Sequence, residues 1–216
     1  GGGGGGQSSL SPDPETNNTP REKTYKQHIT KHTHAQTKKP KPKHLTTRPE
    51  TETQTLTKKL EKRRKEAAKV WEAFENNKKP IIIFGTGTCG RAAGAMSTRE
   101  AAEKTLRGLK VKAELVEVGC IGPCYLEPLM DLKLPGKPRM SYANVSAEKA
   151  EKILTKVFKD KEISGRDSLG TFGDKKYEDF PRFWDHPMLS KQVRLVLRNC
   201  GIIDPSSMDH YLARDG

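Results

Sequence analysis

Three of the four cysteines in this chain lie close together in sequence, in two loops that follow apolar stretches. The first loop, GTGTCG, contains Cys89, and the second, GCIGPC, contains Cys120 and Cys124. Thiolates are soft ligands that suit iron–sulfur clusters or zinc. The Gly-Pro pair inside the C-x3-C spacing forces the second loop to curl, so that both of its thiols can face one centre. We therefore interpret Cys89, Cys120 and Cys124 as the ligands of a redox or metal centre.

The elements around these loops predict how the thiols meet. Ile81–Phe84 is a short β-branched strand, Ala92–Leu109 has the pattern of a helix, and Val111–Val118 is a second strand. In a β-α-β unit the two strands run parallel, so the loops that follow them lie at the same edge of the sheet. Cys89 is therefore expected beside the second cysteine loop.

A hairpin and a helix are expected to complete the domain. Leu129–Leu134 and Arg139–Ala143 are predicted strands, and the Pro-Gly-Lys sequence between them is typical of a tight turn. Ser146 begins a capping-box sequence, which predicts a helix that ends near Phe158. The predicted fold class is α/β, with the order β-α-β-β-β-α.

The flanking segments complete the predicted organisation. Residues 53–77 form an amphipathic helix, which we assign with residues up to 159 to the first domain. Residues 160–180 are polar and contain glycine, which indicates a linker. Residues 181–216 contain a predicted helix over Ser190–Asn199 and a further short helix that starts near Asp204, and we interpret them as the start of a second, truncated domain. The apolar stripe of the first helix consists of Leu56, Leu60, Ala67, Trp71 and Phe74.

The composition separates the N-terminal part from the rest. Residues 1–80 contain 18 Lys and Arg against 9 Asp and Glu, which gives +9 of the total net charge of +13. Residues 1–52 are of low complexity and have few large apolar side chains, so we expect a disordered basic tail. Such a tail can meet nucleic acid, anionic lipid or an acidic protein surface.

The hydropathy of the sequence and the spacing of its cysteines indicate the cellular compartment. The sequence has no apolar run of the roughly 18 residues that a membrane span needs, and no apolar core of a secretory signal. Cysteines without the even spacing of a disulfide framework suit a reducing compartment. We expect a cytoplasmic protein, either free or peripheral to a membrane complex.

The first cysteine loop also matches the dinucleotide-binding pattern G-x-G-x-x-G at Gly85, Gly87 and Gly90. A dinucleotide fold needs further parallel β-α units, whereas the second strand here leads into a cysteine loop and a hairpin. We therefore favour the interpretation that these glycines let the backbone wrap tightly around the chemistry of Cys89.

The segments GTGTCGRAAGA and VGCIGPCYLEPLMDLKLPGKPRMSYANVSAEKAEKIL resemble the thioredoxin-like [2Fe-2S] ferredoxin domain of NADH-oxidising flavoprotein subunits. These are the relatives of NuoF in complex I, NAD-linked hydrogenases and formate dehydrogenases. HPMLSKQVRLVLRNCGIIDPSSMDHYLARDG resembles the start of their FMN- and NADH-binding domain. The resemblance implies a thioredoxin-like fold, electron transfer through a [2Fe-2S] cluster, and the other subunits of an NADH-oxidising complex as partners.

In the family, the cluster takes four thiolates from a C-x4-C pair and a C-x3-C pair. Carried over, Cys89 matches the second position of the first pair, and Cys120 and Cys124 match the second pair. The first position falls on Phe84, which cannot bind a metal. Either another residue supplies the fourth ligand, for which Cys200 is the one remaining thiol, or the cluster is incomplete or absent and the domain has become a docking element.

The sequence thus leaves three functions open. The first is electron relay or docking in a NuoF-like oxidoreductase subunit. FMN and NADH are expected only in a full-length family member, because the residues that bind them in the family lie beyond the match. The second is an interaction module without a cluster, whose basic tail binds an acidic partner or nucleic acid. The third is a thiol–disulfide protein that uses Cys120 and Cys124, although reactive pairs are more often spaced C-x-x-C.

Overall fold

The computed structural model describes residues 50–216, and most of the predicted basic tail lies outside this range. Within the range, residues 50–52 already belong to the first helix. The described residues belong to one compact unit, which ends at Gly216 and contains five strands and five α-helices. The bounds of the elements in chain order are α1 Glu50–Glu75, β1 Ile81–Gly85, α2 Thr88–Ala92, α3 Ala95–Gly108, β2 Glu114–Val118, β3 Met130–Lys133, β4 Arg139–Tyr142, α4 Ala147–Thr155, β5 Ser168–Thr171 and α5 Met208–Ala213.

The five strands form a single sheet in the order β2-β1-β3-β4-β5. β1 and β2 are parallel, with Ile82 opposite Leu115, while β3, β4 and β5 add antiparallel strands. A parallel β-α-β unit joined edge to edge with an antiparallel hairpin and a following helix is the thioredoxin-like arrangement. The predicted fold class is therefore confirmed, with β5 as an additional strand.

One face of the sheet carries the main apolar core. Alternate residues of β1, β3 and β4 point to the same side and meet the buried faces of α3 and α4. Ser146 caps α4 as the sequence predicts, since its hydroxyl oxygen accepts a hydrogen bond from the backbone N–H of Lys149. The buried side chains of this core include Ile82, Phe84, Leu106, Met130, Leu132, Met140 and Leu154.

The other face is covered by the two ends of the described chain. Ile81 and Ile83 pack against Phe74 near the end of α1. On the same face Arg139 reaches past the sheet and donates hydrogen bonds to the backbone carbonyls of Gly201 and Ile202, which fixes the C-terminal segment on the sheet. Among residues 50–216 no helix combines the length and the apolar character that crossing a bilayer requires.

The predicted linker over residues 160–180 is instead partly a strand. β5 pairs with β4, and Phe180 is completely buried in the main core. Gly170 has a φ of +133°, and a Cβ there would lie 2.6 Å from the backbone nitrogen of Phe183. The sequence hides this strand because it is only four residues long and contains a glycine in place of an alternating apolar residue.

The predicted helix over Ser190–Asn199 is not formed, and turns replace it. A short helix needs tertiary packing of an apolar face, yet Val193 and Val196 are 85% and 95% exposed. Arg194 instead donates hydrogen bonds to the carbonyls of Leu197 and Cys200, which holds the turns together.

The predicted amphipathic helix is present as α1, but only part of its apolar stripe is buried. Ala67 and Phe74 are buried, whereas Leu56 and Leu60 remain 42% and 45% exposed. The buried part contacts α5, where His210 packs against the rings of Trp71 and Phe74. The C-terminal half of the helix thus serves the packing that the sequence indicates.

Candidate metal centre

The structure brings together the three cysteines that the sequence singles out. Cys89 lies in α2, directly after β1, while Cys120 and Cys124 lie in the loop after the parallel strand β2. Their three sulfur atoms all lie within 4.8 Å of one another, and the sulfurs of Cys120 and Cys124 are 3.4 Å apart. The predicted convergence of the two loops at one sheet edge is confirmed, while metal binding by these thiols stays a prediction.

Two glycines allow the cysteine loops to approach one another. A Cβ at Gly87 would lie 3.0 Å from the backbone nitrogen of Cys120, so a larger residue would push the loops apart. Gly122 has a φ of +132°, which an L side chain rarely adopts, and its carbonyl oxygen accepts a hydrogen bond from the thiol of Cys124. Gly87 of the G-x-G-x-x-G pattern therefore serves the packing of the two loops around the thiols.

Burial favours the protonated form of the two less exposed thiols. It raises the pKa of Cys89, and it raises the pKa of Cys120 to about 12. Cys124 is the exposed member of the cluster. Because a metal binds the thiolate, metal binding must displace these protons. The positive charge of the metal then stabilises the thiolates, which burial alone disfavours.

Neither Phe84, which the resemblance places at the fourth position, nor Cys200, the remaining thiol, joins the cluster. Phe84 is completely buried, and its ring belongs to the main core together with Ile82. Cys200 lies outside the group of thiols within 4.8 Å of one another. It belongs to the segment that Arg194 ties to the second cysteine loop through a hydrogen bond of 2.9 Å to the carbonyl of Ile121.

A carboxylate outside the predicted set of ligands lies beside the thiols. Glu127 is only 7% exposed, and its Oε1 atom is 3.8 Å from the sulfur of Cys89. Its Oε2 atom accepts a hydrogen bond of 2.8 Å from the backbone N–H of Leu129. Burial raises the pKa of this carboxyl group. The available signal in the sequence is an acidic residue within the apolar run YLEPLM, just after the second cysteine loop.

Two glycines of the first loop also make room for Glu127. A Cβ at Gly85 would lie 3.1 Å from both carboxylate oxygens, and a Cβ at Gly90 would lie 3.2 Å from Oε2. The loop that contains Cys89 is therefore shaped around this carboxylate as well as around the second cysteine loop. Three thiols and a carboxylate form a donor set that suits iron or zinc.

Comparisons with solved structures give likenesses of fold only. A thioredoxin-like [2Fe-2S] ferredoxin from Aquifex aeolicus matches with a TM-score of 0.38 and 13% identity, over 44% of this chain and 94% of the ferredoxin. A second structure, of the wild-type protein, matches with a TM-score of 0.37 and 15% identity, over 43% of this chain and 98% of that one. Similarity at this level carries no argument about the site.

Comparison with curated sequences is more informative. No family model matches the chain. The NADP-reducing hydrogenase subunit HndB of Solidesulfovibrio fructosivorans is 32% identical over 92 residues, which are 41% of this chain and 72% of HndB. With nearly three quarters of HndB matched at this identity, the chain belongs to the family of the hydrogenase subunit HndB.

Proposed function

We propose that this protein is an electron-transfer subunit of a redox complex and that Cys89, Cys120 and Cys124 hold a [2Fe-2S] cluster. The observation that carries the proposal is the convergence of the three sulfur atoms within 4.8 Å at one sheet edge. When bound, such a cluster accepts and returns one electron at a time. The relation to a hydrogenase subunit supports the same chemistry.

The chain itself contributes binding, orientation and partial exposure. The curled second loop presents two thiols side by side, and the glycines of the first loop let Cys89 approach them. Cys124 is exposed, whereas Cys89 and Cys120 are half-buried, so one side of the centre faces solvent. Electron exchange with a partner would use that side, because the rate of transfer falls with distance through protein.

The finer proposals concern the complex. HndB is a subunit of an NADP-reducing hydrogenase, so we propose that the partners of this chain are other subunits of a complex that handles a nicotinamide nucleotide. FMN and NADH would bind to those partners or to a longer form of the protein. We propose a cytoplasmic location for that complex.

Iron analysis of the full chain tests the proposal. After anaerobic reconstitution with ferrous iron and sulfide, we expect about two irons and two sulfides per chain and an EPR signal on reduction. Cys120→Ser should lower both contents sharply, while Cys200→Ser is the matched control and should leave them unchanged. A folded wild-type chain that takes up no iron, or that takes up zinc alone, would overturn the proposal.

The short distance between the sulfurs of Cys120 and Cys124, 3.4 Å, favours one alternative, a thiol–disulfide exchange protein. The raised pKa of Cys120 argues against a reactive thiolate at that position. Thiol counting after mild oxidation separates the two functions. An intramolecular disulfide that forms and is reduced reversibly, in a chain that takes up no iron, would establish the alternative.

A further inference from the structure

Glu127 is a buried acid whose carboxylate accepts hydrogen bonds from two neutral groups. Its carboxylate accepts one hydrogen bond from the backbone N–H of Leu129 and one from the thiol of Cys89. Among the ion pairs of residues 50–216, none involves Glu127. Buried carboxylates are normally paired with a cation or bound to a metal, because leaving water is costly for the charged form. The surroundings of Glu127 therefore suit a metal ligand.

The distances between the ligand atoms divide them into two pairs, and Glu127 belongs to the pair that contains Cys89. For metal–sulfur bonds of about 2.3 Å and metal–oxygen bonds of about 2.0 Å, tetrahedral geometry puts two sulfurs about 3.7 Å apart and a sulfur and an oxygen about 3.5 Å apart. Cys120 and Cys124 are separated by 3.4 Å, and Cys89 and the Oε1 atom of Glu127 by 3.8 Å. Each pair thus has the spacing of two ligands on one tetrahedral iron. The sulfur of Cys89 lies within 4.8 Å of the other two sulfurs, so the two pairs must move apart when they bind separate irons.

We propose that Glu127 is the fourth ligand of the centre, so that Cys120 and Cys124 bind one iron and Cys89 and Glu127 bind the other. This inference rests on the proposed iron–sulfur function. It accounts for the phenylalanine at position 84, since a carboxylate from the loop before β3 takes the place of the thiolate that the resemblance assigns to that position.

The loop holds the carboxylate ready for this role. The hydrogen bond from the N–H of Leu129 holds Oε2, which leaves Oε1 directed at Cys89. The absence of side chains at Gly85 and Gly90 provides the space that the carboxylate fills. The direction of Oε1 is therefore set by the backbone N–H of Leu129 and by the space at Gly85 and Gly90.

A carboxylate ligand predicts a particular electronic signature. Oxygen donates less electron density to iron than thiolate sulfur does, and in Rieske centres the replacement of two thiolates by two histidines on one iron raises the reduction potential of the [2Fe-2S] cluster. The two irons should also be inequivalent. Glu127→Cys should restore four thiolates and lower the reduction potential.

The experiment compares the full-length wild-type chain with three variants after reconstitution with ferrous iron and sulfide. Glu127→Gln keeps the size and the hydrogen bond from Leu129 but removes the anionic ligand, and we expect iron affinity to fall by at least about tenfold. Glu127→Cys should retain iron, show a lower reduction potential, and give nearly equivalent iron sites by Mössbauer spectroscopy. Glu117→Gln is the matched control, because its carboxylate lies at the same edge but is paired with Arg91 and Arg99.

Thermal unfolding of the metal-free protein separates a loss of iron binding from a defect in folding. In the apo-protein, Glu127→Gln should unfold at the same or a higher temperature than wild type, since it removes a buried acid without a cationic partner. If Glu127→Gln and Glu127→Cys both bind iron with the affinity, spectrum and potential of wild type, Glu127 is not a ligand and the proposed function survives. If the wild-type chain itself binds no iron, the proposed function fails first.

Discussion

Two buried carboxylates, four positions apart in the chain, have opposite surroundings. Asp131 in β3 accepts a hydrogen bond of 2.8 Å from the Nε atom of Arg139 and a second from the same guanidinium, and both side chains are about 8% exposed. Glu127, in the loop before β3, has only a backbone N–H and a thiol beside its oxygens. One acid is thus neutralised inside the fold, whereas the other forms no ion pair with any residue in the described range 50–216.

The difference indicates which region supports the fold and which is available for chemistry. Arg139 serves Asp131 and also the carbonyls of Gly201 and Ile202, so this pair joins the sheet to the C-terminal segment. Glu127 makes no comparable link to a distant element. A buried pair that holds elements together is costly to break, whereas a buried acid that no cation neutralises costs stability until a metal binds.

The largest effect is expected from breaking the structural pair. Arg139→Met leaves the charge of Asp131 buried and frees two backbone carbonyls, and it should destabilise the protein by about 3–5 kcal/mol. Urea unfolding of the apo-protein measures this free energy. The double variant Asp131→Leu with Arg139→Met should recover much of the loss, because no unpaired charge remains. Equal destabilisation by the single and double variants would contradict this explanation.

A smaller loss is expected from crowding the region around Glu127. A Cβ at Gly90 would overlap the carbonyl group of Gly85 and press on the carboxylate, so Gly90→Ala should cost about 1–3 kcal/mol and weaken iron binding. Gly108, at the end of α3, is the matched control, because a Cβ there meets nothing within 4 Å. Gly108→Ala should be neutral or slightly stabilising, by up to about 1 kcal/mol. Similar results for the two variants would show that Gly90 is not tightly packed.

The smallest effect on stability is expected from His210, a buried ionisable side chain whose neutral form is favoured. Burial lowers the pKa of His210, and the acidic groups of Asp204, Glu114, Asp209 and Glu75 oppose that shift only in part. Its Nδ1 atom accepts a hydrogen bond from the N–H of Asp204, which requires the neutral ring.

The direction of the pH dependence follows from this shift. The unfolded state binds the proton more readily than the folded state, so the stability that His210 contributes is present above its unfolded pKa of about 6.5 and is lost as pH falls through the folded pKa. Urea unfolding at about pH 7.5 and 5.5 should show a larger loss for wild type than for His210→Asn. An equal loss in both proteins would mean that another group controls this range.

Much of the site was predictable from local sequence because strand connectivity fixes it. β1, α3 and β2 are each signalled by apolar pattern, and a parallel pair must bring Cys89 to the loop of Cys120 and Cys124. Glu127 could not be found in the same way. Its burial depends on where the chain turns before β3, and no periodic pattern records that position.

Two segments after α4 also show where the local sequence pattern fails to predict structure. The segment over Ser190–Asn199 has the composition of an amphipathic helix, yet its apolar side chains find no surface in the described part of the chain, and turns form instead. β5 is the opposite case. Its sequence pattern is weak, yet it forms a strand because the edge of β4 is available to pair with it.

The sequence by itself determined the α/β element order, the helix cap at Ser146 and the convergence of three thiols, because these follow from hydrophobic period, turn chemistry and the geometry of a parallel pair. Tertiary structure alone decided that Phe84 belongs to the core, that β5 extends the sheet, and that Glu127 stands beside Cys89. The physical reason is that burial of a polar group, like pairing of a sheet edge, depends on distant parts of the chain that arrive only when it folds.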